Sequence, residues 1–140
     1  MKPHFRVVCA IIRKQNKTLA VQRSKKMALP LKWEFPGGKI EPNETELACV
    51  TREVKEELSI DIEIGQRLTP ITHEYPDFSI ELIPYVSKYK SGNLTLNEHS
   101  HKRWLEKADL INLDWAAADV PIVAEYVRLN LDSFGDTLEN

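Results

Sequence analysis

Two periodicities divide this chain. Residues 5–12 (FRVVCAII) are β-branched and almost wholly apolar, as in a strand buried on both faces. Residues 13–18 (RKQNKT) read as a polar turn, and residues 19–22 as a second strand with Arg23 at its end. A basic, irregular loop follows over residues 24–31. Trp33, Glu34 and Phe35 predict a short strand stopped by Pro36-Gly37-Gly38, where two glycines permit backbone angles that other residues resist and make the turn that brings backbone carbonyls and amides to the helix that follows. The period then changes to that of a helix. Leu47, Val54 and Leu58 fall within an arc of about 40° at helical spacing. Pro42-Asn43-Glu44-Thr45 is the turn that opens this helix, with Thr45 as its N-cap, and the helix runs to about Leu58. Ser59 occupies the usual helix-ending glycine position. In a left-handed conformation serine costs about 1 kcal/mol relative to glycine, an effect expected on stability more than on catalysis.

Residues 60–64 (IDIEI) alternate as a half-exposed strand. Residues 68–75 and 78–89 predict two further strands around a Tyr75-Pro76-Asp77 turn. Pro84 within the second predicts an edge position or a bulge. A turn over residues 90–93 and a polar loop over residues 97–101, with His99 and His101 as polar loop residues, lead to a strand over residues 102–105. Residues 108–114 are rich in turn formers. Residues 120–131 (VPIVAEYVRLNL) predict a second amphipathic helix, with Ile122, Val123, Tyr126, Val127 and Leu131 apolar. Asp119 is its expected N-cap, and Pro121 sits in its first turn. A polar tail begins at Phe134 and is peripheral from about residue 132. Mixed strands flanking two helices predict one α/β domain over residues 1–140, an α/β/α sandwich with a mixed sheet.

Composition adds exclusions. Hydrophobic residues make up 42% of 140, enough for a normal core. A net charge of -2 offers no basic surface for a nucleic-acid polymer. No apolar run approaches the roughly 18 residues of a membrane span. The N-terminal stretch turns polar at Arg13 without a processing site, so a cytoplasmic protein is expected. Cys9 and Cys49 lack metal-ligand spacing and read as buried thiols.

The chemistry concentrates on the first helix. Glu53, Glu56 and Glu57 share an arc of roughly 100°, centred about a third of a turn from the apolar stripe. Like charges at these spacings weaken a helix by a few tenths of a kcal/mol per pair. A divalent cation offsets that repulsion, and Mg²⁺ takes oxygen ligands.

The spacing Gly38, five residues, Glu44, seven residues, Arg52-Glu53-Val54, one residue, Glu56-Glu57, one residue, Ser59, Ile60 closely resembles the Nudix box. That pattern is Gly-x5-Glu-x7-Arg-Glu-U-x-Glu-Glu-x-Gly-U, where U is a bulky aliphatic residue. Only the second glycine, here Ser59, departs from it. The resemblance implies hydrolysis of a nucleoside diphosphate linked to another group, with Mg²⁺ or Mn²⁺ as cofactor. It implies that Glu53, Glu56 and Glu57 hold the metal, helped by the carbonyl of Gly37 or Gly38, with Glu53 alternatively the base that activates water. Arg52 would orient Glu44 through a bidentate pair, Glu98 would also serve the metal, and Lys39 and Arg23 would grip phosphate.

Residues 33–41, the Tyr75-Pro76-Asp77 turn and residues 117–121 are similar to the MutT-like subgroup, which cleans or trims nucleotide pools. The likeness spans about residues 7–127. It implies that Phe35 flanks the base or sugar, Phe78 lies near the base, and Asp119 reads the base edge. The 8-oxo-dGTP cleaner of the subgroup has an amide at that position. An ionised Asp only accepts hydrogen bonds, which suits the cytosine amino group and also the guanine N1–H and amino group. The activity implied is a Mg²⁺-dependent nucleoside triphosphate pyrophosphohydrolase acting on (d)CTP or 8-oxo-dGTP, a monomer or weak homodimer whose partner is the nucleotide. The alternatives are a hydrolase of ADP-ribose or a nucleotide sugar, and a Nudix-fold binding module without catalysis.

Overall fold

The spine of the fold is strand β1 (His4–Lys14). Its side chains alternate between the two faces of a sheet, as strand geometry requires. Val8, Ala10 and Ile12 join one core, and Cys9 and Ile11 the other. Both faces are covered, which is why residues 5–12 carry no polar alternation. In the computed structural model, which describes residues 2–129, this strand lies within an eight-stranded mixed sheet. The others are β2 (Lys17–Gln22), β3 (Trp33–Glu34), β4 (Gly37–Lys39), β5 (Asp61–Arg67), β6 (Ile71–Glu74), β7 (Ser79–Ser91) and β8 (His101–Glu106). β1 runs parallel to β7, and the remaining pairs are antiparallel.

Helix α1 (Glu46–Leu58) closes the face carrying Val8, Ala10 and Ile12 through Cys49, Val50, Val54 and Leu58. Helix α2 (Val120–Arg128) and the 3-10 turns before it close the other through Leu110, Ala118, Ile122, Val123 and Tyr126. The result is the expected α/β/α sandwich. No helix among the described residues is long and apolar enough to cross a membrane.

The sheet is split where the site forms. β1 and β2 pair only beside their hairpin, at Arg13 with Thr18 and Lys14 with Lys17. Beyond it the two strands part. The free edge of β1 takes β4, with Val8 opposite Gly38 and Cys9 opposite Gly37. The facing edge of β2 takes β3, with Val21 opposite Glu34. Residues 33–39 therefore cross the gap, and Ala10 N–H donates to the Pro36 carbonyl at 2.8 Å within it.

Several local expectations change. The polar turn shrinks to Gln15 and Asn16, because the strands continue to Lys14 and Lys17. Gly37 and Gly38 form strand β4 rather than a turn, and neither has a positive φ. They supply room instead. A Cβ on Gly37 would overlap the Val8 carbonyl, and one on Gly38 would overlap the Glu53 carboxylate. Leu47 leaves the apolar stripe and is 51% exposed, while the buried arc extends to Cys49 and Glu57. Stripe and acidic ridge thus overlap at Glu57. Pro84 lies in a central strand and not at an edge, opposite Cys9, and the register shift between Ile64 and Arg67 falls beside it, as the bulge alternative expected. Its carbonyl accepts from Leu68 N–H at the joint where β5 gives way to β6. N–H and C=O of one strand residue point to the same neighbour, so the donor that proline lacks falls at this joint.

Asp119 precedes α2 with helical angles and makes no side-chain capping bond. Helix α2 stops at Arg128 with Leu129 extended after it, short of the expected end at residue 131, and the tail from Phe134 lies outside the described residues. Thr45 does cap α1, its hydroxyl accepting from Ala48 N–H at 3.1 Å, and Ser59 ends the helix left-handed at φ 61°.

Gly37→Ala is expected to destabilise the fold by ~2–3 kcal/mol, because backbone and not a pliable side chain occupies the Cβ position. Urea denaturation measures this, and an unchanged midpoint would show that β4 does not lie this close to β1.

Candidate active site

The split between β1 and β2 opens into a cavity of about 380 Å³. Its wall includes Arg23, Glu34, Phe35, Gly37, Gly38, Lys39, Glu57, Phe78 and Asp119. The segment joining β3 to β4 delivers Glu34 through Lys39, and α1 brings Glu57 under it. One end of the site is acidic and the other aromatic.

The acidic end rests on α1. Glu57 is only 6% exposed and accepts from Gly37 N–H at 3.1 Å. Burial pushes its carboxyl up to about 10, and the charges of Glu53, Glu34 and Glu98 add to the rise. Glu53 is half-buried against Gly38, and burial again raises its pKa, opposed by Arg52. Glu56 stands exposed and accepts from Arg52 Nη1 at 3.0 Å. Glu98 is exposed on the loop before β8, with its carboxyl beside Glu57. One helical ridge therefore holds three carboxylates in three environments.

Arg52 organises the outer side. Its Nε meets Glu44 Oε2 at 2.6 Å and its Nη2 meets Oε1 at 2.9 Å, a bidentate fork. The same guanidinium donates to the Lys39 carbonyl at 3.3 Å and so ties α1 to β4. Glu44 also accepts from Glu41 N–H, and Arg52 holds its carboxyl down at about 2.

Among the described residues, no three carboxyl, imidazole or thiol side chains converge closely enough to enclose a cation as arranged. The donor chemistry nevertheless fits a hard ion. Glu53 and Glu57 are oxygen donors whose pKa values rise because negative charge is concentrated there out of water.

At the other end Asp119 is buried, and its Oδ2 accepts from Phe35 N–H at 3.0 Å. Its other oxygen has no hydrogen-bond partner among the described residues. Burial raises its pKa well above the carboxylate range, and the charge of Glu34 adds to this. The Phe35 ring is buried against Trp115 with centroids 4.8 Å apart, while Phe78 packs on Tyr75 at 5.0 Å. Cys9 also lines the cavity, and burial pushes its thiol up, so this is an inert thiol. Both cysteines are buried and unpaired.

The two expected phosphate cations already have partners. Arg23 donates to Glu34 at 2.8 Å and to the Ala28 carbonyl at 2.5 Å. Lys39 Nζ stands 3.8 Å from the centre of the Phe5 ring.

Glu34 escaped the sequence reading, and His99 departs from it. Glu34 joins Arg23 to His99, whose Nε2 lies 2.7 Å from Glu34 Oε2. The available signal was a charged residue inside the short apolar run before Pro36. His99 is not the exposed loop residue expected. It is buried, and its Nδ1 has no partner among the described residues. His101 is exposed and contacts Gln22 at 3.1 Å.

A family model, the NUDIX domain, matches residues 2–126. The chain is 31% identical over 123 residues to the CTP pyrophosphohydrolase of Escherichia coli (strain K12), covering 88% of this chain and 91% of that protein. It is 44% identical over 124 residues to the 8-oxo-dGTP diphosphatase of Buchnera aphidicola subsp. Schizaphis graminum, covering 88% and 93%. The crystal structure of the MutT protein from Methanosarcina mazei Go1 superposes with a TM-score of 0.82 at 26% identity, covering 91% of this chain and 95% of that one.

The raised pKa of Glu57 carries a pH dependence. A carboxyl near 4.3 when unfolded and about 10 when folded favours the fold below pH ~4.3, and that share is lost as pH rises toward 10. In chelator, Glu57→Gln is expected to be more stable than wild type at pH 8 by ~1–3 kcal/mol. Thermal denaturation from pH 5 to 8 measures it, and a variant no more stable at pH 8 would refute the buried, repelled carboxyl.

Proposed function

The chain belongs to the Nudix family as a MutT-like pyrophosphohydrolase acting on phosphoanhydride bonds, and from that premise we propose that its substrate is a nucleoside triphosphate, with (d)CTP ranked ahead of 8-oxo-dGTP. The observation that carries this reading is one cavity lined both by Glu57 of the acidic helix and by the buried Asp119 carboxyl, together with Phe35 and Phe78.

Hydrolysis of a phosphoanhydride requires neutralised charge and a positioned water, with little covalent work for the protein. Glu53, Glu56, Glu57 and Glu98, with the Gly37 or Gly38 carbonyl, are the groups that would hold Mg²⁺ or Mn²⁺. When bound, such an ion supplies Lewis acidity and a more acidic water. Glu53, set against Gly38 beside Glu57, is the alternative candidate for the base that activates water. Arg52 keeps the ridge in place through Glu44, Glu56 and the Lys39 carbonyl. Attack of water yields the nucleoside monophosphate and pyrophosphate.

Asp119 is the group that would read the base edge. Phe35 N–H occupies one oxygen. An ionised carboxyl only accepts, which suits the cytosine amino group and also the guanine N1–H and amino group. One relative is named for CTP and another for 8-oxo-dGTP, in line with these two candidates.

Pyrophosphate release with Mg²⁺ across the four NTPs, the four dNTPs, 8-oxo-dGTP, ADP-ribose and a nucleotide sugar tests the proposal. One triphosphate is expected to react fast and give its monophosphate. ADP-ribose cleaved while the triphosphates stay inert would move the protein to the dinucleotide class. Silence on all, with metal bound, would leave a binding module. Asp119→Ala is expected to lower kcat/KM on the preferred base by about 10- to 100-fold, the scale of one lost base-edge pairing. An unaltered ratio between CTP and GTP would remove Asp119 from base reading.

A further inference from the structure

Ser59 does more than end a helix. Residues in the left-handed region are tolerated when the surroundings compensate, and an observed outlier is a reason to look for that compensation. Ser59 sits at φ 61° and ψ 29°, where glycine is unstrained. Its hydroxyl accepts from Thr95 Oγ1 at 2.9 Å and from Asn97 Nδ2 at 3.1 Å. A glycine would offer neither contact.

The same loop takes up the carbonyls that every helix leaves unpaired at its C-terminus. Asn97 Nδ2 donates to the Glu56 carbonyl at 2.7 Å, Asn97 N–H to the Glu57 carbonyl at 3.0 Å, and Thr95 N–H to the Leu58 carbonyl at 3.0 Å. Ser59 N–H closes the fourth on Lys55. The next two residues reach into the site. Glu98 places its carboxyl beside Glu57, and His99 is buried on Glu34 at 2.7 Å. The loop thus spans from the end of α1 to the middle of the cavity wall.

We infer that Ser59 and Asn97 form a clasp that sets the register of the loop bearing Glu98 and His99 against α1, so that Ser59 is a positioning residue for the hydrolysis. The inference rests on the reading of the site given above. It shifts the expectation that a serine here affects stability more than catalysis.

Two substitutions separate the roles. Ser59→Gly removes the hydroxyl and relieves the backbone, whereas Ser59→Ala removes the hydroxyl and keeps the strain. A pure helix-ending role stabilises Ser59→Gly, leaves Ser59→Ala near wild type, and leaves turnover per folded molecule at the wild-type value. The clasp lowers kcat in both by about three- to tenfold, the kinetic equivalent of one net hydrogen bond, with KM within about twofold. It also speeds amide hydrogen exchange at Thr95 and Asn97 in both variants. Wild-type kcat in both variants, or unchanged exchange, would overturn the proposal. A wild type that hydrolyses no triphosphate would refute the functional reading, while the exchange rates still decide whether Ser59 holds the loop.

Discussion

A carboxylate is packed at the junction of a helix and a sheet, and much of this molecule follows from what is needed to keep it there. Glu57 accepts a hydrogen bond from the backbone of β4, and β4 lies so close to β1 that Gly37 has no room for a side chain. Gly38 in turn leaves space for the Glu53 carboxylate. Two carboxyls are thereby held out of water and near each other, at a cost in stability that an ordinary surface helix avoids. Arg52 limits the cost on the outer side by clasping Glu44 and reaching the Lys39 carbonyl. On the inner side the repulsion stands, and it is the physical basis for expecting a cation. Such stored repulsion is characteristic of sites built for function rather than for stability.

The split sheet explains why Glu57 of the acidic helix and the buried Asp119 line one cavity. β1 and β2 separate after a single hairpin turn, and the segment from Trp33 to Lys39 bridges the opening. Along that bridge Glu34, Phe35 and Gly37 each engage a different part of the protein: His99 and Arg23, Asp119, and Glu57. The short bridge thus connects the loop before β8, the entry to α2 and the acidic helix α1. The charge of Glu34 is felt by both Glu57 and Asp119. A displacement of this segment would move both ends of the site together.

Legibility in the sequence varied with the range of the interactions involved. The strand over residues 5–12, the Thr45 cap and the left-handed Ser59 depend on neighbours within a few positions, and the structure has them. Leu47 and Glu57 were misjudged because helical periodicity gives an angle, not what lies over it. Both fall near the rim of the buried arc, and the packing of β4 covers Glu57 while Leu47 in the first turn remains open. The two glycines looked like a turn because their conformational freedom is visible in sequence, whereas the approach of a strand about thirty residues earlier is not. His99 read as a loop residue because nothing nearby marks it as buried. Its burial depends on Glu34, a contact spanning 65 positions.

By itself, the sequence determined the α/β/α architecture, the acidic helix and the family, because those reside in local periodicity and in a motif of 23 residues. Only the tertiary structure decided which of the three ridge carboxylates is buried, that Asp119 turns to Phe35 instead of capping α2, that Arg23 and Lys39 already have partners, and that Ser59 bonds across to Thr95 and Asn97. Each of those outcomes is set by desolvation and by contacts between distant segments. The pairing of Asp119 with Phe35 spans 84 positions and that of Ser59 with Thr95 spans 36, and no local pattern encodes either. Periodicity states which way a side chain points, and burial depends on what the rest of the chain brings to meet it.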